Sequence, residues 1–161
     1  GIPNGKKIME MISHVKIIEK SEGRSNINAS VVSSMTIADR LDFYRIHSDE
    51  LQHSFSMAQS AKNRCRSLSE TVLAAIHFLA SRNHPETADR FVKSLGTGEG
   101  LEKGNPCYAL REKMIDRSSR KVKETVYQLG ELHLIAWNAY SQGRTLKLLK
   151  FASDINVPKV V

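Results

Sequence analysis

The chain has 161 residues, 40% of them hydrophobic and 25% charged, which suits one globular domain and excludes disorder, a state that needs low hydrophobicity and unbalanced charge. Its net charge of +7 and pI near 9.5 favour an anionic partner, because a summed positive potential steers phosphate-bearing polymers to a surface. No apolar run reaches the roughly eighteen residues that a membrane helix needs and no signal-peptide pattern opens the chain, so the sequence predicts a soluble, cytoplasmic domain with no membrane partner.

The opening Gly1-Ile2-Pro3-Asn4-Gly5 carries no initiator methionine, and a processed or excised piece of a longer protein is expected. From Lys6 to Lys20, Ile8, Met11, Ile12, Val15 and Ile18 recur at helical intervals and form one apolar stripe, with Gly23 as the stop. Arg24 to Ser34, rich in Ser and Asn, reads as a loop. Thr36 with Asp39 caps a second helix edged by Ile37, Leu41 and Tyr44. Ser48 caps a third, bearing Leu51, Phe55 and Ala58, and Ser67 with Glu70 forms a capping box for a fourth, bearing Val72, Ile76 and Leu79.

Pro85 suits a first helical position, where its missing N–H costs nothing, and Ala88, Phe91, Val92 and Leu95 follow until Gly96 ends that helix. The segment from Gly96 to Gly104 reads as a turn, and Asn105-Pro106 starts a helix carrying Leu110 and Met114. The last long helix is expected from about Val122 to Gln142, with Val126, Leu129, His133, Ala136, Trp137 and Tyr140 on one face and Gly143 as its stop. For Thr145 to Phe151 a short extended arm and an extra helical turn fit equally. The predicted fold is therefore all-α, a single compact orthogonal bundle of about six to seven helices over 1–151 with a short C-terminal arm, followed by a flexible tail over 152–161.

Catalytic and cofactor motifs are sparse. Gly96-Thr97-Gly98-Glu99-Gly100 has neither the preceding strand of a dinucleotide fingerprint nor the Gly-Lys-Ser/Thr of a nucleotriphosphatase loop, and reads as a connection between helices. His14, His47, His53, His77, His84 and His133 include no i, i+4 pair, so spacing predicts no metal site, and no cofactor is expected. His133, on an apolar face, reads as a core histidine. No serine sits in a Gly-x-Ser-x-Gly elbow. Cys65 and Cys107 lack paired spacing; Arg64 and Arg66 flank Cys65 and favour a thiolate, but no base is placed beside it. The sequence thus predicts a non-enzymatic domain.

Three basic clusters are the candidate nucleic-acid contacts: Lys62, Arg64 and Arg66; Arg117, Arg120, Lys121 and Lys123; and Arg144, Lys147 and Lys150. Long cationic side chains at helix ends and in loops are the chemistry that phosphate contacts use, although the same residues also serve as a solubilising face.

The succession Ala88-Asp89-Arg90-Phe91, Leu95-Gly96-Thr97-Gly98-Glu99-Gly100-Leu101, Gly104-Asn105-Pro106, Ala109-Leu110-Arg111-Glu112 and Ala136-Trp137-Asn138-Ala139-Tyr140 resembles the helical C-terminal region of phage and mobile-element proteins that begin with a ParB/sulfiredoxin-like nuclease-type domain. The resemblance spans roughly Leu68 to Phe151. The Asp-Gly-Gln-His segment of that N-terminal domain does not occur in this sequence. The resemblance implies a non-catalytic accessory module of a phage- or plasmid-like protein, with Trp137 filling the core and Asn138 bonding a neighbouring loop. DNA is the expected partner. The alternative is a protein-interaction or self-association domain, using an exposed stripe such as Ile8 to Ile18.

Overall fold

The computed structural model describes residues 1–22, 35–151 and 159–161. Among these, six helices follow one another: α1 (Gly5–Ser21), α2 (Ile37–Arg64), α3 (Glu70–Ser81), α4 (Pro85–Thr97), α5 (Pro106–Ser119) and α6 (Val126–Ser141). There is no strand among the described residues; the nearest approach to one is a single antiparallel bridge between Gly104 and Leu146. The expected stop at Gly23 and the loop to Ser34 lie outside the described residues, as does most of the expected tail.

Helix α3 is the axis of the bundle. Every residue from Val72 to Ala80 is buried, and the helix touches α1, α2, α4 and α6. A helix apolar on all sides has no solvent face to keep, so the other helices surround it. From α1 the stripe Ile8, Met11, Ile12, Val15 and Ile18 faces inward and is buried throughout, which removes it as a docking face for a partner helix. From α6 the buried residues are Leu129 to Leu134 and Ala136 to Ala139.

The predicted second and third helices run together as α2 and meet at a kink at the expected boundary. Helix α2 runs on through His47, the one residue inside it with non-helical backbone angles (φ −119°, ψ 23°). Ser48 therefore follows a kink and caps nothing. The His47 ring sits between Phe43 (centroids 4.5 Å apart) and Phe78 (5.8 Å). Beyond the kink, Leu51, Ser54, Phe55, Ala58 and Ala61 form a continuous buried stripe. At the start of α2 the expected box is present, with Asp39 N–H donating to Thr36 Oγ1 and Thr36 N–H donating to Asp39 Oδ2.

The Ser67–Glu70 box does not form. Ser67 Oγ instead donates to Ser118 Oγ at the end of α5, and Glu70 accepts from Lys7 Nζ at 2.6 Å. Helix α3 begins at Glu70 with Ser69 as a cap that makes no side-chain bond. Both predicted box members are drawn off by tertiary partners. Helix α6 likewise starts later than its apolar pattern implies, at Val126, behind a Thr125–Gln128 capping box. Val122, counted in the predicted helix, is 84% exposed, because the segment before Thr125 is held by ion pairs of Glu124 instead.

Gly96 does not end α4, which continues to Thr97 and closes on Gly98 in the left-handed region (φ 68°). Its role is contact. A β-carbon at Gly96 would lie 2.8 Å from Ala61 Cα, so the absence of a side chain lets α4 approach the α2 backbone. Gly96→Ala is expected to destabilise the fold by about 1–3 kcal/mol, the range for overpacking, although alanine is the better helix former. An unfolding midpoint at or above wild type would contradict this packing.

The C-terminal arm is not helical: it makes one bridge at Leu146 and bends at Lys147 and Leu148. Leu146 N–H donates to Gly104 O at 2.8 Å, and Leu149 is buried. Asn138, expected to bond a neighbouring loop, bonds residues 159 and 161: its Nδ2 donates to Lys159 O and its Oδ1 accepts from Val161 N–H.

Candidate functional site

The basic clusters divide between two places. Ser67 Oγ and Ser118 Oγ, 3.3 Å apart, join the turn after α2 to the C-terminal end of α5. The Arg144–Lys150 cluster follows α6, next to the Gly104 bridge and hence near the N-terminal end of α5. A helix of 14 residues separates the two ends by about 21 Å. The three clusters do not form one face.

Within the first two clusters, three cations serve the fold. Lys62 Nζ donates to Arg66 O and Leu68 O and closes the turn into α3. Arg120 makes two 3.0 Å bonds to the Glu124 carboxylate and pairs with Asp116 at 3.0 Å. Arg117 donates to Glu124 O and lies 3.7 Å from its carboxylate, with Lys113 at 3.9 Å. Burial alone would raise the Glu124 pKa, but a backbone hydrogen bond and the Arg120 and Lys113 charges hold it below the ordinary carboxylate range. Arg64, Arg66, Lys121 and Lys123 are exposed.

A second constellation, for which the sequence holds no spacing signal, lies nearer the middle of α2. His53 and Ser54 on α2 and Asp89 on α4 line a cleft of about 630 Å³ together with His47, Asp49, Glu50 and Arg82, and His77 on the central helix lies buried against Ser54 and Asp89. His77 is buried, with Nε2 2.7 Å from Asp89 Oδ1 and Nδ1 2.7 Å from Ser54 Oγ. His53 Nε2 is 3.6 Å from the same Asp89 oxygen. One ligand-type atom from each of His53, His77 and Asp89 lies within 4.8 Å of the other two. The three residues come from three helices, which is why no short spacing announces them.

Burial lowers the His77 pKa, opposed by the hydrogen bond and charge of Asp89, so the ring is neutral at pH 7. Burial would raise the Asp89 pKa, but its bonds and charge interactions with His77 and His53 hold the carboxyl below its ordinary range. Ser54, His77 and Asp89 are in hydrogen-bond order for a nucleophile relay, yet Ser54 lies within α2. The helix ladder there consumes the backbone N–H groups that an oxyanion hole requires.

The glycine-rich segment serves as the turn between α4 and α5. Arg111 Nε donates to Leu95 O at 3.1 Å and caps the end of α4. Gly98 leaves room for that guanidinium, which a β-carbon would meet at 2.7 Å. Cys107 is buried, which pushes its thiol up to about 12, and Cys65 is buried as the C-cap of α2. No helix is long and apolar enough to cross a membrane among the described residues.

No family model, curated protein or solved structure matches this chain.

Proposed function

We propose that this helical bundle is a nucleic-acid-binding accessory module, non-catalytic at its basic end, of the kind that the resemblance of its second half to phage and plasmid-like ParB-related proteins implies. The observation that supports the reading is the Ser67–Ser118 contact. It joins the turn that follows Arg64 and holds Arg66 to the end of α5 from which Lys121 and Lys123 lead on, and these four cations are exposed. Lys62, Arg117 and Arg120, engaged by backbone carbonyls and carboxylates, brace these segments. Cations placed in this way bind phosphates, so binding is sequence-tolerant and strongly salt-dependent. Duplex DNA is the ligand that four such cations on two joined segments fit.

Fluorescence anisotropy with a labelled DNA duplex tests this. The logarithm of the binding constant is expected to fall linearly with the logarithm of salt concentration. Replacing Lys121 and Lys123 with alanine should make that slope shallower by about 0.9 for each phosphate that a lysine no longer neutralises. Replacing Arg144, Lys147 and Lys150 at the far end removes more charge but should change affinity less. Absence of binding at low salt, or equal effects from both sets of variants, would rule the reading out.

A further inference from the structure

We propose that His53, His77 and Asp89 form a binding site for a first-row divalent transition ion, with zinc the best fit, independent of the basic end. Two imidazole nitrogens and one carboxylate oxygen make a mixed donor set that selects zinc-like ions over magnesium or calcium, which take oxygen donors. The spacing agrees. Metal–ligand bonds of about 2.0–2.1 Å in tetrahedral array put neighbouring ligand atoms about 3.4 Å apart. Here the Asp89 oxygen stands 2.7 Å from His77 Nε2 and 3.6 Å from His53 Nε2, and the three ligand atoms lie within 4.8 Å of one another, so a turn of the exposed His53 side chain toward the buried His77 brings all three within reach of one ion.

The support around the ligands is that of a built site. His77 is fixed on the central helix and buried on all sides. Its far nitrogen, Nδ1, is 2.7 Å from Ser54 Oγ, the outer partner that orients a ligating imidazole and directs the Nε2 lone pair to the ion. An ion at this point takes the place of the Nε2 proton that His77 gives to Asp89, and the displaced proton leaves to solvent, with Nδ1–H then donating to Ser54 Oγ. Asp49 and Glu50 on the cleft wall add negative potential along the entry path. Three protein ligands leave at least one coordination position, which faces the cleft and is open to water or an anionic ligand.

The test is isothermal titration of the untagged chain with zinc chloride, and with cobalt chloride read by its visible d–d absorption. One equivalent of zinc is expected to bind, with a cobalt spectrum of low-symmetry four- or five-coordination. His53→Ala and Asp89→Asn alter side chains at the cleft surface and should leave the circular dichroism spectrum unchanged. Each should weaken zinc binding by at least about 100-fold, the upper end of what losing an orienting partner alone costs. His84→Ala, outside the cluster, should bind as wild type does. No stoichiometric uptake by the wild type, or uptake that folded His53→Ala and Asp89→Asn retain undiminished, would overturn the site.

Discussion

Trp137→Ala is expected to reduce the unfolding free energy by about 3–5 kcal/mol, the range for deleting a buried aromatic side chain. Trp137 is fully buried and joins three parts of the molecule. Its ring packs edge-on against Phe91 of α4 at 5.5 Å and lies 6.4 Å from Tyr140 one turn along α6. His84, at the start of α4, approaches at 6.3 Å. Its indole Nε1–H donates to Val161 O at 3.4 Å, a long bond that adds little to the packing. Domains of this size are stable by only about 5–15 kcal/mol, so the variant loses a large share of its stability. Trp137→Phe keeps a ring against Phe91 and gives up the weak bond, and should cost much less. Since this is the chain's one tryptophan, urea unfolding is best followed by far-ultraviolet circular dichroism. A loss below about 1 kcal/mol for Trp137→Ala, the size of an ordinary substitution, would mean that the indole does not anchor the α4–α6 interface.

Acidification should destabilise the fold through His133. Burial holds this imidazole at a pKa of about 4 against an ordinary 6.5; the hydrogen bond to Leu129 O opposes the shift, and the charges of His14 and Arg117 add to it. Nδ1–H donates to Leu129 O at 2.7 Å, whereas Nε2 is buried with no partner among the described residues, so the core accommodates only the neutral ring. Between pH 6.5 and 4 the unfolded chain binds a proton at this residue and the folded chain does not. Stability is therefore full above pH 6.5 and is lost as pH falls toward 4. At 1.36 kcal/mol per pKa unit the loss is about 3 kcal/mol. His14 and His77, whose pKa values burial also lowers, act in the same direction. His133→Leu isolates the effect: its stability should fall less over this range by about 3 kcal/mol, the His133 contribution. Denaturation midpoints at pH 7 and pH 4.5 that move equally in both proteins would contradict a neutral, buried His133.

Much of the fold was legible because a helix writes its buried face into the sequence at a fixed period. The α1 stripe, the Pro85 and Asn105-Pro106 starts, the Thr36–Asp39 box and the close at Gly143 all depend on residues within a turn or two of one another. The misreadings share a cause. Ser67 and Glu70 have the spacing of a capping box, but Ser118 and Lys7 lie nearer their polar atoms. Ser48 has the character of a cap and follows the kink at His47, and the buried stripe of α2, Leu51 to Ala61, lies wholly beyond that kink. Gly96 looks like a terminator and is a contact, since the backbone that approaches it belongs to residue 61.

The candidate sites divide along the same line. An all-helical chain, the positions of most helices, a basic surface and the residue types available for chemistry follow from composition and period, which are local quantities readable in any short stretch. Which charges meet is a matter of packing. The bundle engages Lys62, Arg117 and Arg120 with backbone carbonyls and carboxylates, joins the turn after α2 to the end of α5, and leaves Arg144, Lys147 and Lys150 near the other end of α5. It also gathers His53, His77 and Asp89, which are 24 and 12 residues apart along the chain, into one cluster. Helix packing sets such distances, and packing depends on the shape of every buried face at once, which no single stretch of sequence contains.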